Sequence, residues 1–338
     1  MFSAFKKPAQ ALLFLAGLAL FVWVLRATGL ERLKTILPAL ANGGWIVFSV
    51  FAVMNLLDSA AWLVLYPAGV WHRLSAWNHF FLIRVAGEAI NNLTPFADVG
   101  GEFLKISLAA EVLKTSRKAA VISVVLTRST LFFSEVAFWI TGFLPIVFFV
   151  PLSGPTFWAA LLTIFISLVL SLVLILVQKR GFMKSFTGLL GVFGIKPTLF
   201  AKDHLSVQEI DEGIRSFYRH KKWELWVSFF LHWAGWIAGG LETYWMFKIL
   251  GAPINPWQAV AGEAFFQLIK SGSFFIPANL GAQEAGLGWY AAGLGLHPSY
   301  GVLVSLLKRA RQLVWTALGF VIWGGYTIMM PSKTKVVS

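Results

Sequence analysis

Eight of the fifteen acidic residues in this 338-residue chain fall within stretches that are otherwise apolar: Asp58, Glu88, Asp98, Glu102, Glu135, Glu242, Glu263 and Glu284. Lys105, Arg128, Lys270, Lys308, Arg309 and Arg311 occupy the same stretches. A charge at the centre of a bilayer costs about 3 kcal/mol on insertion scales, so each carboxylate there needs a basic partner or a water-filled cavity. Arg84, Glu88 and Asn91 or Asn92 recur at i, i+4 and i+7 or i+8, which puts a polar stripe on one face of a helix. Glu263, Gln267 and Lys270 repeat that stripe. Beyond each stripe comes a break, Thr94 to Gly101 or Ile276 to Gly281, where Pro and Gly free backbone groups and permit close approach. A helix restarting near Glu102 or near Gln283 points its amino terminus inward, and such a terminus attracts anions, phosphate in particular.

The expected chemistry is therefore recognition of an anionic head group. Arg128, Arg309, Arg311 and the helix termini would hold it in a polar cavity between two hairpins. Glu88, Asp98, Glu102, Glu263 and Glu284 would orient the cations or exchange protons, with Asn91, Asn92, Lys105, Gln267 and Lys308 on the same segments. Glu135 lies about two turns from Arg128 and either lines the cavity or pairs locally. Asp58 and Glu242 rank below this set. The alternative is that Glu88 with Arg128, and Glu263 with Arg309, are internal ion pairs that fix packing and meet no ligand. Against it, buried ion pairs stabilise less than apolar packing does.

The elements that must carry these residues are apolar. The chain is 58% hydrophobic and 13% charged, with 31 Phe, 16 Trp and no Cys, whereas soluble domains carry about a quarter charged residues. An ordinary soluble enzyme is excluded, as are disulfides and thiolate chemistry. Runs of about 20 apolar residues place six spans near Pro8 to Leu25, Trp45 to Tyr66, Ala119 to Val150, Phe157 to Val177, Trp223 to Leu250 and Tyr300 to Met330. The first has no small-residue cleavage site and is expected to be retained. The net charge of +13 follows the orientation rule for membrane proteins rather than indicating nucleic acid. Lys6 and Lys7 precede the first span, and nine basic residues crowd the loop at 178–222, while the connections at 151–155 and 251–256 have none. Both termini and that loop are thus expected in the cytoplasm, although Arg26, Arg32 and Lys34 run against the bias.

Phe80 to Ala110 and Trp257 to Gly293 fit no simple span; each is interrupted by Pro, Gly and a carboxylate, the pattern of a re-entrant hairpin or broken helix. Whether the hairpins turn back or cross is open. Gly87-Glu88-Ala89 matches Gly262-Glu263-Ala264, the run from Pro95 to Glu102 resembles that from Pro277 to Glu284, and Ser123 to Arg128 resembles Val304 to Arg309. With the orientation above, the units at about 45–150 and 223–330 form an inverted-topology repeat within one polytopic all-α membrane domain, an arrangement suited to alternating access. The competing reading is chance similarity among apolar segments.

Other features are plainer. Trp71, Trp77, Trp223 and Trp257 read as interfacial anchors, and 201–222 as an amphipathic helix on the cytoplasmic face. The six histidines show no metal-ligand spacing, and no phosphate loop, GxSxG elbow or HExxH pair occurs. No metal, cofactor or ATP site is expected.

At Gly87-Glu88-Ala89-Ile90-Asn91-Asn92-Leu93-Thr94-Pro95, then Gly100-Gly101-Glu102 and Lys105, and again at Pro277, Gly281 and Glu284, the chain resembles the flippase-like family, also called the lysylphosphatidylglycerol synthase transmembrane region family. It is most similar to the hopanoid-associated branch. The resemblance covers nearly the whole chain and implies translocation of an aminoacylated phospholipid, a glycolipid or a polyprenyl-phosphate-linked lipid across a prokaryotic inner membrane. Phe103 stands where the family commonly has Pro after Gly-Gly-Glu. The larger synthases append a soluble aminoacyl-transferring domain; here Pro331 to Ser338 follow the last expected span, so aminoacyl transfer is not expected, and neither is enzymatic activity.

The leading expectation is a flippase or transporter of an anionic or phosphate-bearing (glyco)lipid or isoprenoid-type lipid. The alternatives are a secondary transporter of a small polar solute, an intramembrane enzyme acting on a head group, and a non-catalytic partner in a lipid-biosynthesis pathway.

Overall fold

A computed structural model of the chain describes residues 18–19, 21–26, 34, 36–66, 74–93, 100–149, 162, 165, 168–169, 172, 207–273 and 276–329. Within these residues the regular structure is entirely helical. The expected spans at 8–25 and 157–177 therefore lie largely outside the described residues, as do Trp71, Asp98 and most of the first hairpin's break.

Among the described residues nine helices carry the fold: α1 (Ile36–Val64), α2 (Leu74–Leu93), α3 (Gly100–Val112), α4 (Arg117–Phe149), α5 (Val207–His220), α6 (Lys222–Ile249), α7 (Pro256–Gly272), α8 (Ala282–Gly293) and α9 (Ser299–Met329). Stretches at Gly43–Val64, Arg117–Leu144 and Ser299–Met329 are long and apolar enough to cross a membrane, matching three expected spans. α6, with 28 residues, is also long enough at 1.5 Å per residue, but His232, Glu242 and several tryptophans interrupt its apolar surface. By contrast α3 has 13 residues and α8 has 12, fewer than the roughly 20 that a span requires.

Local sequence sets the ends of these elements. Asn255 caps α7 by accepting the Gln258 N–H at 2.9 Å while Gln258 reaches back to the Asn255 N–H at 3.0 Å, with Pro256 in the first turn. α3 closes through a bond from the Thr115 N–H to the Ala110 carbonyl as Lys114 turns left-handed. Ser116 then accepts the Ala119 N–H at the start of α4.

The packing is reciprocal. α1 lies against α6, α2 against α9, and α4 against α7, while each hairpin, α2 with α3 and α7 with α8, folds on itself. α1 and α6 run antiparallel, because Gly43 meets Ile249, Met54 meets Gly239, and Asp58 meets Gly235 and His232. α2 and α9 do likewise: His79 bonds Tyr326, and Asn92 bonds Thr316. So do α4 and α7, with Gly142 against Ala264 and Glu135 near Ser271. At Gly101 a Cβ would overlap the Gly87 carbonyl, so the α2–α3 hairpin closes only with glycine there.

One apolar core (Trp62, Phe80, Ile83, Leu108, Val124, Tyr326) joins α1 to α4 and α9, and a second (Val47, Phe247, Phe266, Leu287, Val304, Leu307) joins α1 with α6 to α9. α5 covers the end of α4 as expected for an amphipathic helix, burying Ile210, Ile214 and Phe217 against Val121, Ile122 and Leu126. Burial raises the Tyr218 phenol to about 12. Elsewhere the usual order is inverted. Leu313, Val321 and Ile328 are exposed, as are Trp77, Trp223 and Trp257, while Glu242, Glu263, Glu284 and Lys308 are buried. That distribution belongs to a protein whose solvent is lipid.

Candidate functional site

The embedded charges gather into two networks rather than the single shared cavity expected between the hairpins. The reciprocal packing explains this: each hairpin lies against the last span of the opposite unit, not against the other hairpin. Phe51, beneath the Arg311 guanidinium, and Asp58 are seven residues apart on α1, and Glu242 and His232 are ten apart on α6. The networks therefore sit about 10–15 Å apart along the α1–α6 pair.

The first network spans five helices. Asp58 of α1 pairs with Arg84 of α2 through one oxygen and accepts His232 Nδ1 of α6 through the other, at 2.6 Å. Arg84 approaches Glu88 at 3.6 Å, one turn along α2. Lys105 of α3 donates to Glu88 at 2.6 Å and to Glu102 at 2.9 Å, and Arg128 of α4 pairs with Glu102. Asn91 donates to Glu102 at 3.3 Å and accepts the Gly101 N–H at 2.6 Å. The six charges and His232, with Trp62, Val124, Thr127 and Leu131, line a cavity of about 30 Å³, room for about two waters. Glu88 and Arg128 are each about a third exposed (32% and 33%), more than the rest of the network. They mark its mouth.

The second network is tighter. Glu263 of α7 accepts Lys308 of α9 at 2.6 Å, Thr243 of α6 at 2.5 Å and Gln267 at 2.8 Å. Glu242 of α6 pairs with Arg311 and lies 3.7 Å from Lys308. Glu284 pairs with Arg309, takes Ser305 Oγ at 3.1 Å and caps its own helix by accepting the Gly281 N–H at 2.9 Å. Arg309 also donates to the carbonyls of Ala278 and Asn279, at 3.1 and 3.2 Å. Those two residues hold left-handed φ values of 53° and 49°, so the arginine ties down a strained break.

Several expectations change. The amino terminus of α8 does not await an anion, because the Glu284 carboxylate already fills that role. The Gly101 N–H of α3 is likewise taken by Asn91. The pairings differ too: Glu88 goes to Lys105 and Arg84 rather than Arg128, and Glu263 goes to Lys308 rather than Arg309. The equivalent pairs across the two halves are instead Glu102 with Arg128 and Glu284 with Arg309, each joining the second hairpin helix to the next span. Glu135 reaches Ser271 at 3.3 Å across the α4–α7 seam, Lys270 is exposed, and Asn92 bonds Thr316 and Gln312 in the α2–α9 seam. Asp98 lies outside the described residues.

Asp58 and Glu242, ranked below the main set, and Arg84, placed only in the polar stripe, belong to the networks, as does His232, which residue pattern alone left aside. The usable signal was ionisable chemistry in the middle of an apolar helix, which applied to His232 as much as to any carboxylate. Both networks also contain buried polar atoms without a hydrogen-bond partner: Arg84 Nη1 and His232 Nε2 in the first, Glu242 Oε1 and Arg311 Nε in the second. A purely structural ion-pair cluster would satisfy such atoms. Among the described residues no His, Asp or Glu group is arranged to hold a metal ion.

Fold and site together define an all-α integral membrane protein with balanced charge networks in its interior. Residues 10–319 match the family described as the lysylphosphatidylglycerol synthase TM region, and the chain belongs to that family. A UPF0104 membrane protein of Methanothermobacter thermautotrophicus is 24% identical over 247 residues, which cover 68% of this chain and 70% of that protein. No solved structure matches the chain. The matches reach the family and single out no branch within it.

Proposed function

We propose that this protein moves an anionic or phosphate-bearing lipid, whether glycolipid, phospholipid or isoprenoid-type, between the leaflets of a prokaryotic inner membrane, without chemical change to it. The observation that carries the reading is the first network: six charges from four helices, a mouth formed by Glu88 and Arg128, and a small polar cavity inside an apolar shell. A head group would exchange its hydration for Arg128, Lys105 and Arg84 while its tail stayed among the exposed apolar side chains.

The units at 45–150 and 223–330 act as an inverted repeat in this account. The antiparallel pairing of α1 with α6 and the reciprocal α2–α9 and α4–α7 seams support it, as do the lengths of α3 and α8, which suit re-entrant hairpins. With both termini and the 178–222 loop cytoplasmic, the first network lies nearer the cytoplasm and the second nearer the outside. One being partly open and the other sealed is what alternating access requires of a single state.

The cavity's small volume favours one competing reading, a transporter of a small polar solute. Native mass spectrometry of the purified protein with its co-purified lipids separates the two. One anionic lipid class retained by the wild type and lost in Arg128→Ala is expected; identical spectra without a selective lipid would overturn the lipid reading.

A further inference from the structure

His232 is the one member of the first network whose chemistry the head-group reading does not use. Its side chain is 1% exposed, and it sits near the middle of α6 with Nδ1 on Asp58 Oδ1 at 2.6 Å. A carboxylate already paired with Arg84 can only accept there, so Nδ1 carries the proton and Nε2 of the neutral ring is a lone pair. That Nε2 is buried, has no hydrogen-bond partner, and belongs to a residue lining the cavity. A buried acceptor left unmet is destabilising, and a proton or a water donor relieves it. A proton delivered by water in the cavity would convert the ring to a cation already seated against a carboxylate.

The charge count shows what that proton would do. Among the described residues the charged groups that line the cavity with the ring are Asp58 from α1, Arg84 and Glu88 from α2, Glu102 and Lys105 from α3, and Arg128 from α4. Among the described residues three carboxylates balance three cations, so with a neutral ring their sum leaves no net charge with which to attract an anion. Glu263 of α7 with Lys308 and Arg311 of α9 gathers around Gly239 and Glu242, about two to three turns along α6, and these charges do not line this cavity. Protonation adds one positive charge. It also makes Asp58 serve two cations, which loosens its hold on Arg84, whose Nη1 is already without a hydrogen-bond partner.

We propose that His232 is a proton-binding site coupled to the head-group site, so that one proton on the ring inside the cavity and one monoanionic phosphodiester at the Glu88–Arg128 mouth are bound together. The site is then neutral when empty, neutral again when proton and anion are both bound, and unfavourable with either alone. This rests on the lipid reading for the identity of the anion, but the coupling itself depends only on the cavity.

Isothermal titration calorimetry of the full chain in detergent, in two buffers of different ionisation enthalpy, counts protons taken up per ligand bound. The probes are a short-chain phosphatidylglycerol and inorganic phosphate. For the wild type, lipid affinity should fall as pH rises, by up to about tenfold per pH unit, with up to one proton taken up per lipid bound. His232→Gln, which cannot take the proton, should bind weakly and without pH dependence. Asp58→Asn leaves the cavity with one excess positive charge permanently, so it should also lose the pH dependence but bind about as tightly as the wild type does in acid. These opposite affinities distinguish coupling from a merely structural role. Lipid binding with equal proton uptake in wild type and His232→Gln would overturn the proposal and leave the lipid reading standing. Because inorganic phosphate changes its own protonation near neutral pH, proton uptake with phosphate alone counts only where His232→Gln abolishes it; that result would keep the coupling and replace the lipid by a free anion, and uptake unchanged in His232→Gln would overturn the coupling. No binding of either probe at any pH would overturn both.

Discussion

Glu88 and Arg128 stand at the mouth of one network, while Glu284 and Glu242 are fully buried in the other, and this difference separates their energetics. Replacing Glu284 by Gln removes the countercharge of Arg309 and weakens the cap on Gly281. Breaking a buried pair from one side costs about 3–5 kcal/mol, so Glu284→Gln should markedly lower the thermal unfolding midpoint in detergent. Glu88→Gln leaves Lys105 on Glu102 at 2.9 Å and should cost no more than about 1 kcal/mol, although it alters the ligand site. Equal destabilisation by the two would contradict the division into a ligand-facing and a sealed network. Most of these residues were legible in the sequence because a charge inside an apolar run is costly wherever it lies. Their pairings were not, because one helical turn decides whether Glu88 meets Lys105 or Arg128, and that turn is set by tertiary packing. His232 has no metal-ligand spacing to mark it; its position in the middle of an apolar helix is the informative fact.

At the level of elements, the breaks after Leu93 and after Gly272 matter more than the helices they separate. They shorten α3 and α8 below spanning length, and they bring Glu102 and Glu284 to the first turns of helices that start inside the protein. Pro, Gly and a following carboxylate announced both restarts, and α3 and α8 begin within two residues of where the pattern put them. The assignment of hairpins to partners was not legible, since apolar faces carry no address; α2 lies on α9 and α7 on α4 through small residues such as Gly319 and Gly142. If the hairpins are re-entrant, the α3–α4 turn faces the cytoplasm and the α8–α9 turn faces outward. Because the chain has no native cysteine, Glu111→Cys and His297→Cys can be labelled singly with a membrane-impermeant thiol reagent. Modification of position 297 in intact cells, and of position 111 only in inside-out vesicles, is expected. Labelling of both from one side would mean that a hairpin crosses.

For the whole molecule, two networks of three carboxylates and three cations each lie about 10–15 Å apart along the antiparallel α1–α6 pair. Membrane residence was evident from composition, and the helical class from apolar runs of about 20 residues. The reciprocal interlocking of the halves became visible only in three dimensions. Function on this account is transfer of a head group from the half-open network to the sealed one as the halves exchange conformations. The most direct test is a leaflet-transfer assay with the protein reconstituted into vesicles carrying a head-group-labelled anionic lipid in one leaflet. The account predicts protein-dependent movement of that lipid to the opposite leaflet, with its structure unchanged and the movement lost in Arg128→Ala. Lipid that stays in its original leaflet with folded wild-type protein present, or that moves equally well with Arg128→Ala, would contradict it.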